Sequence, residues 1–320
     1  MYGDVARSET YKRRLLDFLR RTYTLDADSL APAKRGYYGE TWRVGTPDGP
    51  YFLKVMAAEA NKPGYIRSFA LLERLRAHGV DFVSRPIAAQ DGRLYAVFDG
   101  AIVGLFAWID GENRQDEQTK PEEYRMMARV YAVPAAGLDL PADDLSTARA
   151  DVFYAQWTRL KADAPDTASL SVLASLDERA ALIGLRASRL AYFAAKCGGD
   201  LSGRFISHGD AGGNVLVTAD GYRLVDWDDA RIAPPERDAW FCLHWPWAMD
   251  AFDRALREGG IGYALRPERL AYYGYHYFLN YLTFSMDAFL DLRTDAAARA
   301  VEDYFSCWIE EELAFADRMA

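Results

Sequence analysis

The amino-acid sequence predicts an α+β protein with a small β-rich N-terminal part and a larger, mainly helical C-terminal part. Short apolar runs separated by turn signals dominate up to about residue 109, whereas helical periodicity dominates from about residue 121 onward. The length of 320 residues corresponds to about two domains. Hydrophobic residues make up 50% of the chain, which is enough to build cores and excludes disorder as the main state.

The N-terminal part is predicted to alternate between helices and strands. Its predicted elements are a helix over 8–21, strands over 32–38, 41–45 and 51–56, a helix over 64–78, and strands over 94–98 and 102–109. The segment Thr-Pro-Asp-Gly-Pro at 46–50 is a strong turn signal between two of these strands. Gly79 is a natural end for the second helix.

The C-terminal part is predicted to be helical apart from one hairpin. Its helices are expected over 121–133, 147–163, 172–197, 267–292 and 296–318. Strands over 214–218 and 222–226, joined by Ala-Asp-Gly, form the hairpin. We therefore expect a β-rich lobe at 1–106, a hinge at 107–113 and a helical lobe at 114–320.

Charge and composition exclude several classes of function. The chain carries 38 Lys and Arg against 47 Asp and Glu, a formal charge of −9, so we expect no nucleic-acid partner. The three cysteines form no Cys-x-x-Cys pair, which argues against a structural zinc site and fits a reducing compartment. The polar N-terminus and the short apolar runs indicate neither a signal peptide nor a membrane span. We expect a cytoplasmic protein without a membrane partner.

The most informative segment is 205–238, which contains His208-Gly-Asp210, then Asn214-Val-Leu, then Val-Asp226-Trp-Asp228. Asp210 lies in a glycine-flanked loop, where its carboxylate can act as a base. Asn214 begins one strand of the predicted hairpin and Asp226 ends the other, so a tight hairpin brings both side chains to one end. Oxygen ligands of this kind suit Mg²⁺, and a base beside Mg²⁺-bound phosphates is suited to phosphoryl transfer to a hydroxyl.

This segment resembles the catalytic core of the aminoglycoside phosphotransferase/choline kinase family, small-molecule relatives of protein kinases. The Pro-Pro-Glu-Arg-Asp run at 234–238 is similar to the spectinomycin phosphotransferase branch. The resemblance implies a protein-kinase-like bilobal fold, with Asp210 as the catalytic base and Asn214 and Asp226 as Mg²⁺ ligands. It further implies supporting roles for His208, Asp228 and Asp238.

The resemblance also assigns residues of the N-terminal lobe to nucleotide binding. It implies that Lys54 grips the phosphates and that Ala107 and Ile109 offer backbone groups to adenine. The 36–41 loop, through Gly36, Gly39 and Thr41, would cover the phosphates. Taken alone, Lys54 could lie on an exposed strand face, the loop could be an ordinary hairpin turn, and the 106–112 segment could be a core strand ending in a turn.

Two features depart from the family pattern. The spacer between Asp210 and Asn214 is one residue shorter than usual, which changes the expected relative placement of base and metal. The helix glutamate that usually pairs with the strand lysine has only Glu59 and Glu73 as candidates, and neither falls at the expected position.

The sequence therefore predicts an enzyme that transfers a phosphoryl group from ATP, with Mg²⁺, to a hydroxyl of a small molecule. GTP stays open as the donor. The acceptor would be an aminoglycoside- or spectinomycin-like antibiotic or an amino/hydroxy metabolite. The unusually aromatic helix around 270–282 could be core, or could line a cleft for a less cationic substrate. A non-catalytic pseudokinase that only binds is the alternative. A metal-dependent hydrolase fits less well, because the cluster has a single histidine.

Overall fold

The computed structural model describes residues 7–33, 39–114, 116–163, 166–198, 200, 202–241, 243, 245–307 and 309–319. It confirms the α+β class. By their internal contacts the residues divide into two compact units, Met1–Pro141 with Ile206–Ile232, and Ala142–Phe205 with Ala233–Ala320. The first unit thus includes the 206–232 segment, which lies far along the chain. The lobes at 1–106 and 114–320, with a hinge at 107–113, stay a prediction.

The first unit is built on a five-stranded antiparallel sheet. Its strands are β1 (Ser29–Pro32), β2 (Glu40–Gly45), β3 (Tyr51–Met56), β4 (Ala96–Phe98) and β5 (Ala101–Ala107), in the order β1-β2-β3-β5-β4. Helix α1 (Glu9–Tyr23) precedes the sheet and α2 (Lys62–Ala77) follows β3. The turn predicted at 46–50 is present, since the Gly49 amide donates to the Thr46 carbonyl at 3.1 Å. The first strand begins earlier than predicted, and residues 34–38 lie outside the described residues.

The central strand β3 is covered on both faces, which explains its nearly continuous apolar sequence. Leu53 and Val55 point into a core shared with Leu15 and Leu19 of α1. Because side chains alternate along a strand, Phe52 and Lys54 lie on the opposite face, toward α2. There the rings of Phe52 and Phe106 are 6.2 Å apart, and Phe106 stacks on Phe69 of α2 at 5.6 Å. Lys54 is thus placed beneath a helix.

The first unit continues with a smaller three-stranded sheet. It contains β6 (Gly111–Asn113), β8 (Val215–Thr218) and β9 (Gly221–Leu224), in the order β6-β8-β9. Strands β8 and β9 form the predicted hairpin, with Val215 opposite Leu224. Strands β7 (Phe205–Ser207) and β10 (Arg231–Ala233) also pair, and α3 (Lys120–Tyr131) lies in the same unit. Part of the predicted hinge is therefore a strand that pairs with the hairpin.

The second unit is helical. Its helices are α4 (Ala148–Ala162), α5 (Thr167–Glu178), α6 (Ala180–Cys197), α7 (Glu236–Ala239), α8 (Ala248–Glu258), α9 (Pro267–Leu292), α10 (Asp295–Glu302) and α11 (Ile309–Met319). The helices predicted over 172–197 and 296–318 are each interrupted, the first at Arg179 and the second by a 3₁₀ turn. No helix in the described part of the chain has the length and apolar character needed to cross a bilayer.

The aromatic helix α9 is the centre of the second unit. Tyr272, Tyr273 and Tyr275 are fully buried, so the core interpretation is correct for these three side chains. Their hydroxyls are satisfied inside the unit: Tyr273 donates to Asp143 at 3.0 Å and Tyr275 donates to Asp317 at 2.7 Å. A buried tyrosine needs such a partner, and these bonds fix the rotation of the helix.

Gly104 on β5 lies where α2 packs closely against the sheet. A Cβ atom there would lie 2.3 Å from the Tyr65 hydroxyl and 2.5 Å from the Phe69 ring. We expect Gly104→Ala to lower the free energy of unfolding by about 1–3 kcal/mol, because the helix must move. Gly184→Ala is the control, since nothing lies within 4 Å of its Cβ position. In urea unfolding that variant should be neutral or more stable by up to about 1 kcal/mol. Equal effects would contradict the tight seating.

Candidate active site

Lys54 lies in the middle of β3, opposite Thr41 on β2 and Gly104 on β5. Its side chain is only 10% exposed, so the exposed-face interpretation is wrong. A buried ammonium is tolerated only when anionic or strongly polar groups surround it. The structure supplies two carboxylates for this purpose.

Lys54 bridges Asp226 and Asp228, with its Nζ atom 2.6 Å from one carboxylate oxygen of each. Burial lowers the pKa of Lys54, but the two carboxylates outweigh it and hold that pKa above its usual range. Burial raises the pKa of Asp228 to about 6. For Asp226, burial opposes ionisation, yet Lys54 holds the pKa below its usual value. Lys54 therefore stays protonated. Of the two acids, Asp226 ionises more readily than Asp228.

The backbone between the two acids is unusual. Asp226 has a φ of 65°, the left-handed region that non-glycine residues seldom adopt. The buried Trp227 anchors the turn by donating from its indole nitrogen to the Leu224 carbonyl at 3.1 Å. The Val225 amide donates to the Asn214 carbonyl at 3.1 Å and closes the end of the hairpin. The strained backbone is thus held by its surroundings, as is common at functional sites.

His208 joins the loop that carries Asp210 to the loop that carries Asp226. Its Nε2 atom lies 2.9 Å from the Val225 carbonyl, and the Asp210 amide donates to its Nδ1 atom at 3.2 Å. One nitrogen must donate while the other accepts, which corresponds to the neutral ring with its proton on Nε2. The ring is 1% exposed and packs on Trp227 at 4.5 Å. This geometry fits the predicted supporting role.

Asp210 is exposed, and Asn214 lies directly beside it. The Asn214 side-chain amide donates to the Asp210 carbonyl at 2.8 Å and to its carboxylate at 3.0 Å. The short spacer between them closes as a 3₁₀ turn over Ala211–Gly213, in which the Asn214 amide donates to the Ala211 carbonyl. Asn113 supports this turn by donating to the Gly213 carbonyl at 2.7 Å. The shortened loop thus still brings the two side chains together.

The residues predicted to contact the nucleotide have different outcomes. Gly36 lies outside the described residues. Gly39 lies against the lysine, since a Cβ there would be 2.9 Å from the Val55 carbonyl and 3.6 Å from the Lys54 side chain. The Ala107 amide already donates to the Arg85 carbonyl at 2.9 Å, so that N–H group is not available to adenine. Ile109 follows the end of β5.

Asp238 is in the second unit, on the short helix α7, and its role stays a prediction. It is buried, with 5% of its surface exposed. Among the described residues we find no cluster of three or more His, Cys, Asp or Glu side chains arranged to hold a metal ion. A cation at the end of the hairpin would instead take Asn214 and Asp226, as the sequence predicts, and complete its shell with phosphate oxygens and water.

Neither candidate glutamate pairs with Lys54. Glu59 is exposed and pairs with Lys62, and Glu73 is exposed on α2. The α2 residue that reaches the lysine is Tyr65, whose ring centroid lies 5.3 Å from the Lys54 Nζ atom. Sequence reasoning missed Tyr65, and its place one residue after Pro63-Gly64 in the first turn of α2 was the available signal.

The paired acids predict a pH-dependent cost of removing the lysine. In Lys54→Met, Asp226 and Asp228 lose their common partner, and we expect a loss of about 1–3 kcal/mol, reduced by their partial exposure. Repulsion and burial then raise the pKa values of the acids in the folded state. The stability deficit should therefore grow from pH 5 to pH 8, as both acids ionise.

Urea unfolding at both pH values, with a chelator present, measures this deficit. Lys12→Met is the control, since Lys12 pairs with Glu9 on an exposed helix face at 2.8 Å. Its deficit should stay below about 1 kcal/mol at both pH values. A deficit for Lys54→Met that does not change with pH would contradict the shared-charge arrangement.

Comparison with known proteins confirms the predicted family. Residues 29–275 match the phosphotransferase enzyme family. No curated protein matches the chain. Among solved structures, a spectinomycin phosphotransferase in complex with ADP and spectinomycin superposes with a TM-score of 0.78 at 16% identity, over 95% of this chain and 98% of that chain.

Two further structures show the same fold. A microcompartment-associated aminopropanol kinase has a TM-score of 0.67 at 18% identity, over 95% of this chain and 96% of that one. An aminoglycoside phosphotransferase from Alicyclobacillus acidocaldarius has a TM-score of 0.62 at 16% identity, over 93% and 92%. The predicted protein-kinase-like fold and the predicted phosphotransferase are both confirmed. The family match covers most of the chain, and the protein therefore belongs to the phosphotransferase enzyme family.

Proposed function

We propose that the protein is an ATP- and Mg²⁺-dependent kinase that acts in the cytoplasm and phosphorylates a hydroxyl group of a small amino- or hydroxyl-bearing molecule. The observation that carries this proposal is the buried Lys54 bridging Asp226 and Asp228, in the same unit as the loop that presents Asp210. A charged lysine, a hairpin with two oxygen ligands and an exposed carboxylate are the groups that phosphoryl transfer needs.

Each residue has a separate task in this mechanism. The exposed Asp210 carboxylate accepts a hydrogen bond from the acceptor hydroxyl and orients it. It takes the hydroxyl proton as the hydroxyl oxygen bonds to the γ-phosphorus of ATP and the bond from that phosphorus to the departing ADP oxygen breaks. Lys54 offers its charge to the phosphates. Asn214 uses its amide N–H group on Asp210, which leaves its amide oxygen to join Asp226 as a ligand for Mg²⁺. The ion would neutralise phosphate charge, and catalysis would come mainly from positioning and electrostatics.

One of the backbone groups predicted to bind adenine already has a hydrogen-bond partner in the protein. The Ala107 N–H group bonds to Arg85, so adenine would meet the Ala107 carbonyl and the backbone of Ile109. Three similar structures were solved with nucleotides, namely ADP, AMP and AMP-PNP, which supports an adenine nucleotide as the donor. The fully buried tyrosines of α9 leave the antibiotic class and the amino-alcohol class both open as acceptors.

Acceptor-stimulated ADP formation tests the proposal directly. The panel contains spectinomycin, several aminoglycosides, choline, homoserine and amino sugars, with MgATP or MgGTP as donor. We expect at least one acceptor to stimulate ADP release, and Asp210→Asn to lower kcat by about 10²–10⁴-fold while the KM for ATP changes little. Asp220→Asn is the matched control, because Asp220 is an exposed acid in the turn of the same hairpin. An active Asp210→Asn enzyme would contradict the assignment.

The metal ligands give a second prediction. Asn214→Ala removes one oxygen ligand, and we expect the Mg²⁺ concentration for half-maximal activity to rise by about 10–100-fold. Saturating Mg²⁺ should restore part of the rate. A Mg²⁺ titration of initial rates measures this shift, with Asp220→Asn again as control. If Asn214→Ala lowers the rate without changing the Mg²⁺ requirement, its task is to position Asp210 rather than to bind the ion.

A pseudokinase is the second candidate, and one observation favours it: neither Glu59 nor Glu73 pairs with Lys54. A protein of this kind would bind nucleotide without acceptor-stimulated ADP release. Calorimetric binding of ADP and ATP beside the turnover assay separates the two candidates. Nucleotide binding together with silence across the acceptor panel, in wild type and Asp210→Asn alike, would favour the pseudokinase.

A further inference from the structure

The lysine that faces the nucleotide phosphates has no acidic partner on α2. The only acidic residue in this helix is Glu73, which is exposed. It lies eight residues after Tyr65, about 12 Å farther along the helix axis. Among the described residues, the carboxylates that contact Lys54 are those of Asp226 and Asp228. On α2, the side chain that reaches the lysine is that of Tyr65.

Tyr65 contacts Lys54 at both ends of the residue. The centroid of its ring lies 5.3 Å from the Lys54 Nζ atom, which faces the ring. The Tyr65 hydroxyl donates to the Lys54 main-chain carbonyl at 3.2 Å. The side chain is 1% exposed, and a cation over an aromatic face is stabilised most where water is excluded. Burial also raises the pKa of Tyr65 well above its usual value, so the phenol stays protonated and remains a donor.

The turn of α2 that carries Tyr65 also packs against the loop that carries Asp228. A Cβ atom on Gly64 would lie 2.5 Å from the Asp228 carbonyl oxygen. Only glycine allows this approach without a shift, so the start of α2 and the Asp228 loop are in direct backbone contact. The ring of Phe69, one turn farther along, lies 5.0 Å from that of Tyr65 and stacks on Phe106 of β5 at 5.6 Å.

We propose that Tyr65 is a positioning residue for phosphoryl transfer and that, together with Asp228, it takes over the task of a helix carboxylate in holding Lys54. This inference rests on the proposed function. As a consequence, Asp226 and Asp228 would have separate tasks. Asp226 can turn to a metal ion while Asp228 and the Tyr65 ring keep the lysine in place.

The experiment compares three variants of α2 by steady-state kinetics with MgATP and by calorimetric binding of ADP. Tyr65→Leu removes ring and hydroxyl, whereas Tyr65→Phe keeps the ring. Phe69→Leu is the matched control, since Phe69 is buried in the same helix and its ring stacks on Phe106 of the sheet. We expect Tyr65→Leu to raise the KM for MgATP about tenfold, and Tyr65→Phe to restore it to within about threefold of wild type.

Thermal unfolding shows whether the leucine variants lose stability to the same extent. Equal KM values for Tyr65→Leu and Phe69→Leu would overturn the proposal, because a role in packing alone affects both alike. If the wild-type protein binds ADP but forms none from MgATP with any acceptor, that result would count against the proposed function instead. In that case the ADP affinities of the same three variants still decide the role of Tyr65.

Asp228 is tested by a double-mutant cycle with Lys54. Asp228→Asn should weaken ADP binding about fivefold in the wild-type background and have no effect when Lys54 is methionine. The Mg²⁺ concentration for half-maximal activity should stay unchanged in Asp228→Asn. A raised Mg²⁺ requirement, or an equal effect in the Lys54→Met background, would assign Asp228 to the metal and overturn its part in holding the lysine.

Discussion

The site depends on one electrostatic constraint, a positive charge buried beneath a helix. An ammonium at the position of Lys54 is costly unless carboxylates lie within hydrogen-bond distance, and Asp226 and Asp228 meet that need at 2.6 Å each. These acids are more than 170 residues away in sequence. The pairing therefore joins a late segment of the chain to the first sheet, and the 206–232 segment, which also pairs with β6, belongs to the first unit.

The loop that carries Asp210 is held by local hydrogen bonds around the ring of His208. The Nδ1 atom of His208 accepts a hydrogen bond from the Asp210 amide, and its Nε2 atom donates to the Val225 carbonyl. The 3₁₀ turn then carries the chain to Asn214 with one residue fewer than the family pattern, and Asn113 supports it from the neighbouring strand β6. The shorter loop thus still brings Asp210 and Asn214 together, because hydrogen bonds rather than residue count determine where the two side chains lie.

Local sequence signals predicted the local parts of this site. The Asp-Gly turn and its flanking apolar runs predicted the hairpin, and the hairpin brought Asn214 to the same end as Asp226. The resemblance favoured a functional Lys54 over an exposed one, and the side chain is buried, although a lysine in a strand is usually exposed. Its role toward the phosphates stays a prediction. Its long-range partners could not be predicted by periodicity, since a contact between distant segments leaves no local pattern. The break between α5 and α6 was missed because no glycine or proline marks it.

The left-handed backbone of Asp226 has a consequence for how this position can change. Glycine is the residue that fits its φ of 65° best, yet glycine has no carboxylate to offer a lysine or an ion. Relief of the local strain and retention of the acid are therefore mutually exclusive at this residue. In a relative that no longer needs turnover, glycine could replace this aspartate and relieve the strain. The residue at this position therefore indicates whether selection still maintains the chemistry.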